Sequence, residues 1–165
     1  MSSGRAHDRA TLIVSAPIGM AAAKFWGADA GFIAAAACLV GGLWLSPDLD
    51  THSNALRRWG PFRPLWWPYR RLIPHRSLWS HGPLIGTALR LLLLLGWWVV
   101  LSLLIGWPTN AWLPPLISWL KQQPQQAIAL VIGLEASAWL HLILDGDPWP
   151  VEWSPRRLRL RQRRR

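Results

Sequence analysis

The sequence has a single cysteine, Cys38, set in an apolar run, so no disulfide framework can form within the chain and redox compartment cannot be read from it. Charge is scarce: 16% of residues are charged, against roughly 25% in soluble domains. Acidic residues are scarcer still, with 8 Asp+Glu against 18 Lys+Arg, for a formal net charge of +10. No Ser or Cys nucleophile motif and no phosphate-cradling glycine loop is present, which leaves covalent catalysis without support. No internal repeat is evident. At 165 residues the chain has room for one domain or one compact helical bundle.

What is abundant is apolar surface and tryptophan. Hydrophobic residues make up 52% of the chain, and 14 of the residues are Trp, far more than a soluble core of this size needs. Tryptophan favours membrane–water interfaces, where the ring is buried and its N–H stays wet. The order of segments predicts an all-α, polytopic membrane bundle of about four transmembrane helices. Residues 11–26 are mostly apolar, interrupted by Pro17 and Lys24, and are short for a span, which usually takes about 17–25 residues. Residues 30–45 are apolar and rich in Ala and Gly, which suits close helix packing in lipid. A basic, aromatic loop follows over residues 51–76; its Pro61, Pro64, Pro68 and Pro74 exclude one continuous helix. Residues 84–106 give the strongest span. Residues 107–126 read as a Pro- and Gln-containing connector with a short interfacial helix near 116–121, and residues 127–144 as the last span.

Most of the Lys and Arg residues fall at the start of the chain, in the 51–76 loop and in the tail. The positive-inside rule then puts both termini on the cytoplasmic side of a multi-pass membrane protein. The expected division is a helical metal-binding domain over residues 1–153 and a basic, disordered tail over 154–165. The tail is expected to meet anionic lipid, at about 1 kcal/mol per residue near the surface, and no specific nucleic acid partner is expected. A signal peptide is an alternative reading of the first segment: Arg5 and Arg9 would be its basic region and Ala21-Ala22-Ala23 its cleavage site. Cleavage would remove His7 and Asp8 and disturb the charge bias.

This topology gathers the polar residues into one layer. All five histidines (His7, His52, His75, His81 and His141) fall in inner segments or at inner ends of spans, as do Asp8, Asp48, Asp50, Asp145 and Asp147. His and carboxylate side chains together are the ligand set of zinc, manganese or iron. His141 and Asp145 stand four apart on the last helix and so share a face. Asp48 and Asp50 flank Leu49 where the second span ends. His75 and His81 are six apart, which does not return to one helix face, so His75 is expected in the loop and His81 at a helix entrance opened by Gly82-Pro83. Each piece also has a plain structural reading: Ser46-Pro47-Asp48 as a helix stop, a lone interfacial His among headgroups, His141/Asp145 as a buried hydrogen bond. Glu135, inside the last apolar span, costs roughly 2.5–3.5 kcal/mol there unless neutralised or paired. A structural role is expected for it, with a relay or supporting role at the site as the alternative.

The segments Ser3-Gly4-Arg5-Ala6-His7-Asp8-Arg9, Pro47-Asp48-Leu49-Asp50, Arg58-Trp59-Gly60, Pro68-Tyr69-Arg70 and His75-Arg76-Ser77-Leu78-Trp79-Ser80-His81-Gly82-Pro83 carry a resemblance. Together they resemble an uncharacterised bacterial family of metal-binding proteins, a domain of unknown function, over nearly the whole chain up to Trp153. The chain is also similar, more broadly, to the membrane-bound metal-dependent hydrolases, which show an early His, P-D-[IL]-D, H-R-x-x-[ST]-H and a late H-x-x-x-D. Carried onto this sequence, the resemblance implies His7, Asp48, Asp50, His75, His81, His141 and Asp145 as metal ligands. Two departures stand out: Gly82-Pro83 follows the H-R motif in place of an apolar run, and Asp147 in Gly146-Asp147-Pro148 competes with Asp145.

The resemblance implies a hydrolase whose metal, zinc or manganese as one or two ions, acidifies a water and polarises a phosphoryl or carbonyl oxygen. A site at headgroup depth favours an ester or phosphoester, lipid-linked in one version. Arg76 would either hold a phosphate or pair with Asp48 or Asp50. The alternative is a non-enzymatic metal-binding membrane protein, its ion structural or sensed; a third reading is a membrane-anchored basic module.

Overall fold

The computed structural model describes residues 4–146; Asp147 and the basic segment 154–165 lie outside the described residues. Every regular element among them is helical. Helix α1 (Gly4–Trp26) and α2 (Ala28–Leu43) are joined at Gly27, whose φ of 88° is the left-handed conformation that ends a helix most easily in glycine. The region between α2 and the next long helix is a chain of short pieces. These are the 3-10 turn Pro47–Asp50, α3 (Asn54–Arg58), the 3-10 segment Gly60–Trp66, α4 (Trp67–Leu72) and α5 (Leu78–His81). Long helices then follow: α6 (Ile85–Leu104), α7 (Thr109–Gln122) and α8 (Pro124–Leu144).

α1, α2 and α8 form the tightest part of the bundle, and small residues make it so. A Cβ built on Gly31 would stand 2.8 Å from the Gly19 carbonyl oxygen, and one on Gly19 would stand 2.9 Å from that of Gly31. Between α2 and α8, Ala34 and Ala129 are fully buried, and a Cβ on Gly133 would come within 2.7 Å of the Ala37 methyl. Such backbone-to-backbone approach is how helices gain packing energy where lipid removes the hydrophobic drive between them. A second core lies over the short pieces: Leu49, Leu56, Trp66 and Tyr69 are buried, with Leu89, Leu93 and Leu94 of α6 against them. Trp97 Nε1–H donates to the Leu65 carbonyl at 2.9 Å and ties α6 to this cap.

Three stretches are long and apolar enough to cross a membrane: Ala28–Asp50, Ile85–Leu104 and Pro124–Leu144. Only 17% of the α6 stretch is buried within the protein, and Leu92, Leu103 and Leu104 are exposed. Helix α1, carrying Arg5, Asp8, Arg9 and Lys24, is not among the three, so the fold is all-helical with three candidate spans where the sequence reading counts four. Two further differences have local causes. The first helix starts at Gly4 instead of residue 11; its polar first turns are held by His7, which meets Asp145 at the end of α8, and by Asp8, which pairs with Arg58 of α3. The connector contains a 14-residue helix, α7, that runs through Pro114 and Pro115.

Candidate metal centre

At one end of α1 and α8, four separate parts of the chain meet. His7 comes from the first turns of α1, Asp48 and Asp50 from the 3-10 turn, His75 and His81 from the loop and α5, and His141 with Asp145 from the end of α8. The 3-10 turn is set by Pro47 at its first position and by the Ser46 hydroxyl, which accepts the Asp48 N–H. All seven residues named from the sequence converge. His7 Nε2 lies 3.1 Å from Asp145 Oδ1, His141 Nε2 3.4 Å from Asp48 Oδ1 and 3.6 Å from Asp145 Oδ2, and His81 Nε2 3.6 Å from Asp48 Oδ1. The His7 and His141 rings stack with centroids 4.2 Å apart; those of His81 and His141 are 5.9 Å apart.

Within this cluster two triads have the spacing to share an ion: His7, His141 and Asp145, and Asp48, His75 and His81. They abut at the Asp48–His141 edge. The chemistry of the nitrogens fits a metal. His81 Nε2 and His141 Nε2 are buried and have no hydrogen-bond partner, a costly state for a polar atom. Carboxylate oxygens stand 3.4–3.6 Å from them, beyond good hydrogen-bond range. Ligand atoms about 2.1 Å from a tetrahedral ion are about 3.4 Å from one another, so the separations suit donors that share a cation.

The hydrogen bonds behind the cluster point the open nitrogens inward. Ser80 Oγ stands 3.1 Å from the Pro74 carbonyl, 2.8 Å from His81 Nδ1 and 3.2 Å from the Ser77 N–H. The hydroxyl has one proton; given to Pro74, it leaves Ser80 to accept from His81 Nδ1–H, which puts the imidazole lone pair on Nε2. Asp50, whose side chain is fully buried, accepts from His75 Nδ1 with both oxygens at 3.0 Å. That contact holds the His75 pKa above the usual histidine value, and its geometry is that of a carboxylate behind a metal-bound histidine. Asp50 thus stands behind the cluster, in neither triad. His7 is shifted the other way, its pKa lowered by burial and then by His141.

Two charged residues inside the bundle support the same segment. Arg76 and Leu84, with φ of 58° and 60°, are the non-glycine residues with positive φ among those described, and they bracket the turn that carries His81. The Leu84 N–H donates to Glu135 Oε2 at 3.0 Å, and the buried Arg90 donates from Nη1 to the Ser80 carbonyl at 2.9 Å and from Nη2 to Thr87 Oγ1 at 3.0 Å. Glu135 thus accepts a backbone hydrogen bond at the turn before α6. Sequence reasoning missed the support given by Ser80 and Arg90; the serine directly before His81 and an arginine inside an apolar span were the available signals. His81 itself ends the four-residue α5 instead of opening the long helix, because Leu84 turns the chain before α6 begins.

Arg76 approaches Asp145 (Nη2 to Oδ2, 3.6 Å) instead of Asp48 or Asp50. Asp8 is held by Arg58 Nη2 at 2.5 Å and by the Asn54 amide at 3.3 Å, and His52 Nε2 accepts from Arg70 at 2.8 Å. Neither Asp8 nor His52 joins the two triads. A cavity of about 260 Å³ opens beside the cluster; His7, Asp48 and His141 line it together with Asp8, His52 and Arg57.

Residues 2–154 match the protein family described as "Uncharacterized metal-binding protein (DUF2227)". The chain belongs to this family. A relative in Aquifex aeolicus (strain VF5), described as an uncharacterized protein, is 41% identical over 54 residues, which cover 32% of this chain and 38% of the relative. No solved structure matches the chain. The family match carries metal binding and no reaction, and nothing among these matches links the chain to the membrane-bound metal-dependent hydrolases.

Proposed function

We propose that the seven His and Asp residues build a divalent-metal centre at the cytoplasmic end of a membrane-embedded helical bundle, and that the centre serves hydrolysis of an ester or phosphoester. The observation that carries the metal is the pair of buried, unpartnered nitrogens, His81 Nε2 and His141 Nε2, facing the one Asp48 carboxylate. His7, Asp48, His75, His81, His141 and Asp145 would hold one or two ions, zinc or manganese by donor set. Asp50 orients His75, and Ser80 fixes the tautomer of His81. A bound ion there supplies Lewis acidity to a phosphoryl or carbonyl oxygen and acidifies water. The cavity beside the cluster favours a reacting centre over a sealed structural one, since structural zinc sites are closed.

The exposed leucines of α6 support placement in lipid, and the arginines of the 51–76 segment support a cytoplasmic face of the inner membrane, with anionic lipid near the basic tail. A second reading has its own observation: the ligand set joins four parts of the chain, so the ion would also serve as a clasp in a protein with no reaction. Elemental analysis of purified protein, with His81→Ala and Asp48→Ala beside it, tests the centre; wild-type protein without metal overturns it. Turnover of phosphoester or ester substrates that needs both residues supports hydrolysis. Full metal content with no turnover across a broad panel leaves the clasp.

A further inference from the structure

We propose that the cavity beside the metal centre is a phosphoryl-binding subsite, which takes the terminal phosphate of a phosphomonoester. The inference rests on the metal reading, because His7, Asp48 and His141 of the cluster line the cavity. The lining also holds a cation. Arg57 lines the cavity, and its guanidinium touches the neutral amide oxygen of Asn54; no carboxylate pairs with it among the described residues. Arg70, behind His52, gives one proton to that imidazole, and its Nε is buried with no hydrogen-bond partner. Asp8, a carboxylate that also lines the cavity, is already paired with Arg58 and accepts a hydrogen bond from Asn54. Arg57 is therefore a cation without a carboxylate partner among the described residues, at a cavity that the metal donors His7, Asp48 and His141 also line.

A ligand that suits this lining needs oxygens for a metal cation and for a guanidinium fork. A phosphomonoester, with two charges and three terminal oxygens, meets that demand, and arginine recognises it in a two-pronged contact. The size of the cavity agrees. About 260 Å³ lies below the roughly 300–1,000 Å³ that encloses a drug-sized ligand, so the pocket takes the phosphate and leaves the rest of the molecule outside. The same headgroup is offered by a soluble phosphomonoester and by phosphatidic acid in a bilayer.

The test uses full-length protein in detergent micelles, loaded with zinc or manganese. Metal content is measured by elemental analysis, and inorganic phosphate binding by equilibrium dialysis. Saturable phosphate binding is expected, and Arg57→Gln, an exposed substitution away from the metal donors, should weaken it about tenfold with metal content unchanged. Phosphate that fails to bind metal-loaded protein, or that binds Arg57→Gln equally well, overturns the subsite and leaves the metal centre standing. Protein that takes up no metal overturns the centre and the subsite together. Nanodiscs of phosphatidylcholine with and without phosphatidic acid then separate the sources. Competition with phosphate only when phosphatidic acid is present assigns the headgroup to lipid, and displacement by glycerol 3-phosphate alone assigns it to a soluble ester.

Discussion

The two halves of the cluster are built by different means. His7, His141 and Asp145 sit on long helices whose spacing is fixed by glycine and alanine contacts far from the site, and their side chains are nearly inaccessible. Asp48, His75 and His81 sit on a 3-10 turn, a loop and a single helical turn, and the His75 side chain is 41% exposed. The first half inherits rigidity from helix packing. The second obtains it from a proline, a serine cap, two strained residues and two buried charges. A helix-borne ligand can be misplaced only by moving a helix, whereas a loop-borne one needs its own supports.

The comparison breaks most sharply at the shared edge. Asp48→Ala removes the carboxylate that faces both orphaned nitrogens, and it should reduce metal affinity by more than the about 10–100-fold that a change behind the ligands costs. Metal titration followed by isothermal calorimetry measures it. Next come the supports of each half. Arg90→Met leaves the Ser80 carbonyl without its donor and should lower metal affinity about 10–100-fold through His81, with about 1–3 kcal/mol less stability to denaturant. Glu135→Gln keeps an acceptor for the Leu84 N–H and should do much less than Glu135→Leu. On the other side, Gly31→Val forces α1 from α2, because its Cβ would meet the Gly19 carbonyl oxygen at 2.8 Å. That change should affect His7 and leave binding by Asp48, His75 and His81 in place. Equal loss from Arg90→Met and Gly31→Val, with no separable binding step, would show one ion held by both halves.

These differences also explain what the sequence disclosed. The set of His and Asp residues that converge was legible, because P-D-L-D, H-R-S-L-W-S-H and the His141/Asp145 pair sit where apolar runs stop. The four-residue spacing of His141 and Asp145 fixed their shared face before any coordinates. The loop-borne half was legible as a set of residues but not as a geometry. Nothing in the spacing of His75 and His81 announces a short α5 ended by a left-handed Leu84, or that Asp50 stands behind His75 while Asp48 faces two histidines. Asp8 and His52 share the depth of the ligands yet are claimed by Arg58 and Arg70, a choice made by side-chain partners from distant segments. The continuous start of α1 was hidden for the same reason: Asp8, between Arg5 and Arg9, reads as part of a polar tail until its partners Arg58 and Asn54 are known.

The smallest expected effect sharpens the comparison without breaking any contact. A histidine binds metal through a neutral nitrogen, so protons and metal compete. The Asp50 hydrogen bond raises the His75 pKa, whereas burial lowers that of His7. As pH falls from neutral, His75 takes up its proton first, and the loop-borne half should release metal at a higher pH than the helix-borne half. The metal-free protein should respond in the opposite sense at His75. There the raised pKa adds stability below the unfolded histidine value and loses it as pH rises through the folded one, whereas His7 costs stability on acidification. Asp50→Asn removes the anionic partner, so the His75 imidazole of the metal-free protein should titrate at lower pH, while metal affinity of the loop half falls about 10–100-fold. Metal retained after dialysis across pH 5–8, read beside imidazole NMR shifts, measures both steps; a single step that Asp50→Asn does not move would mean that the two halves titrate as one.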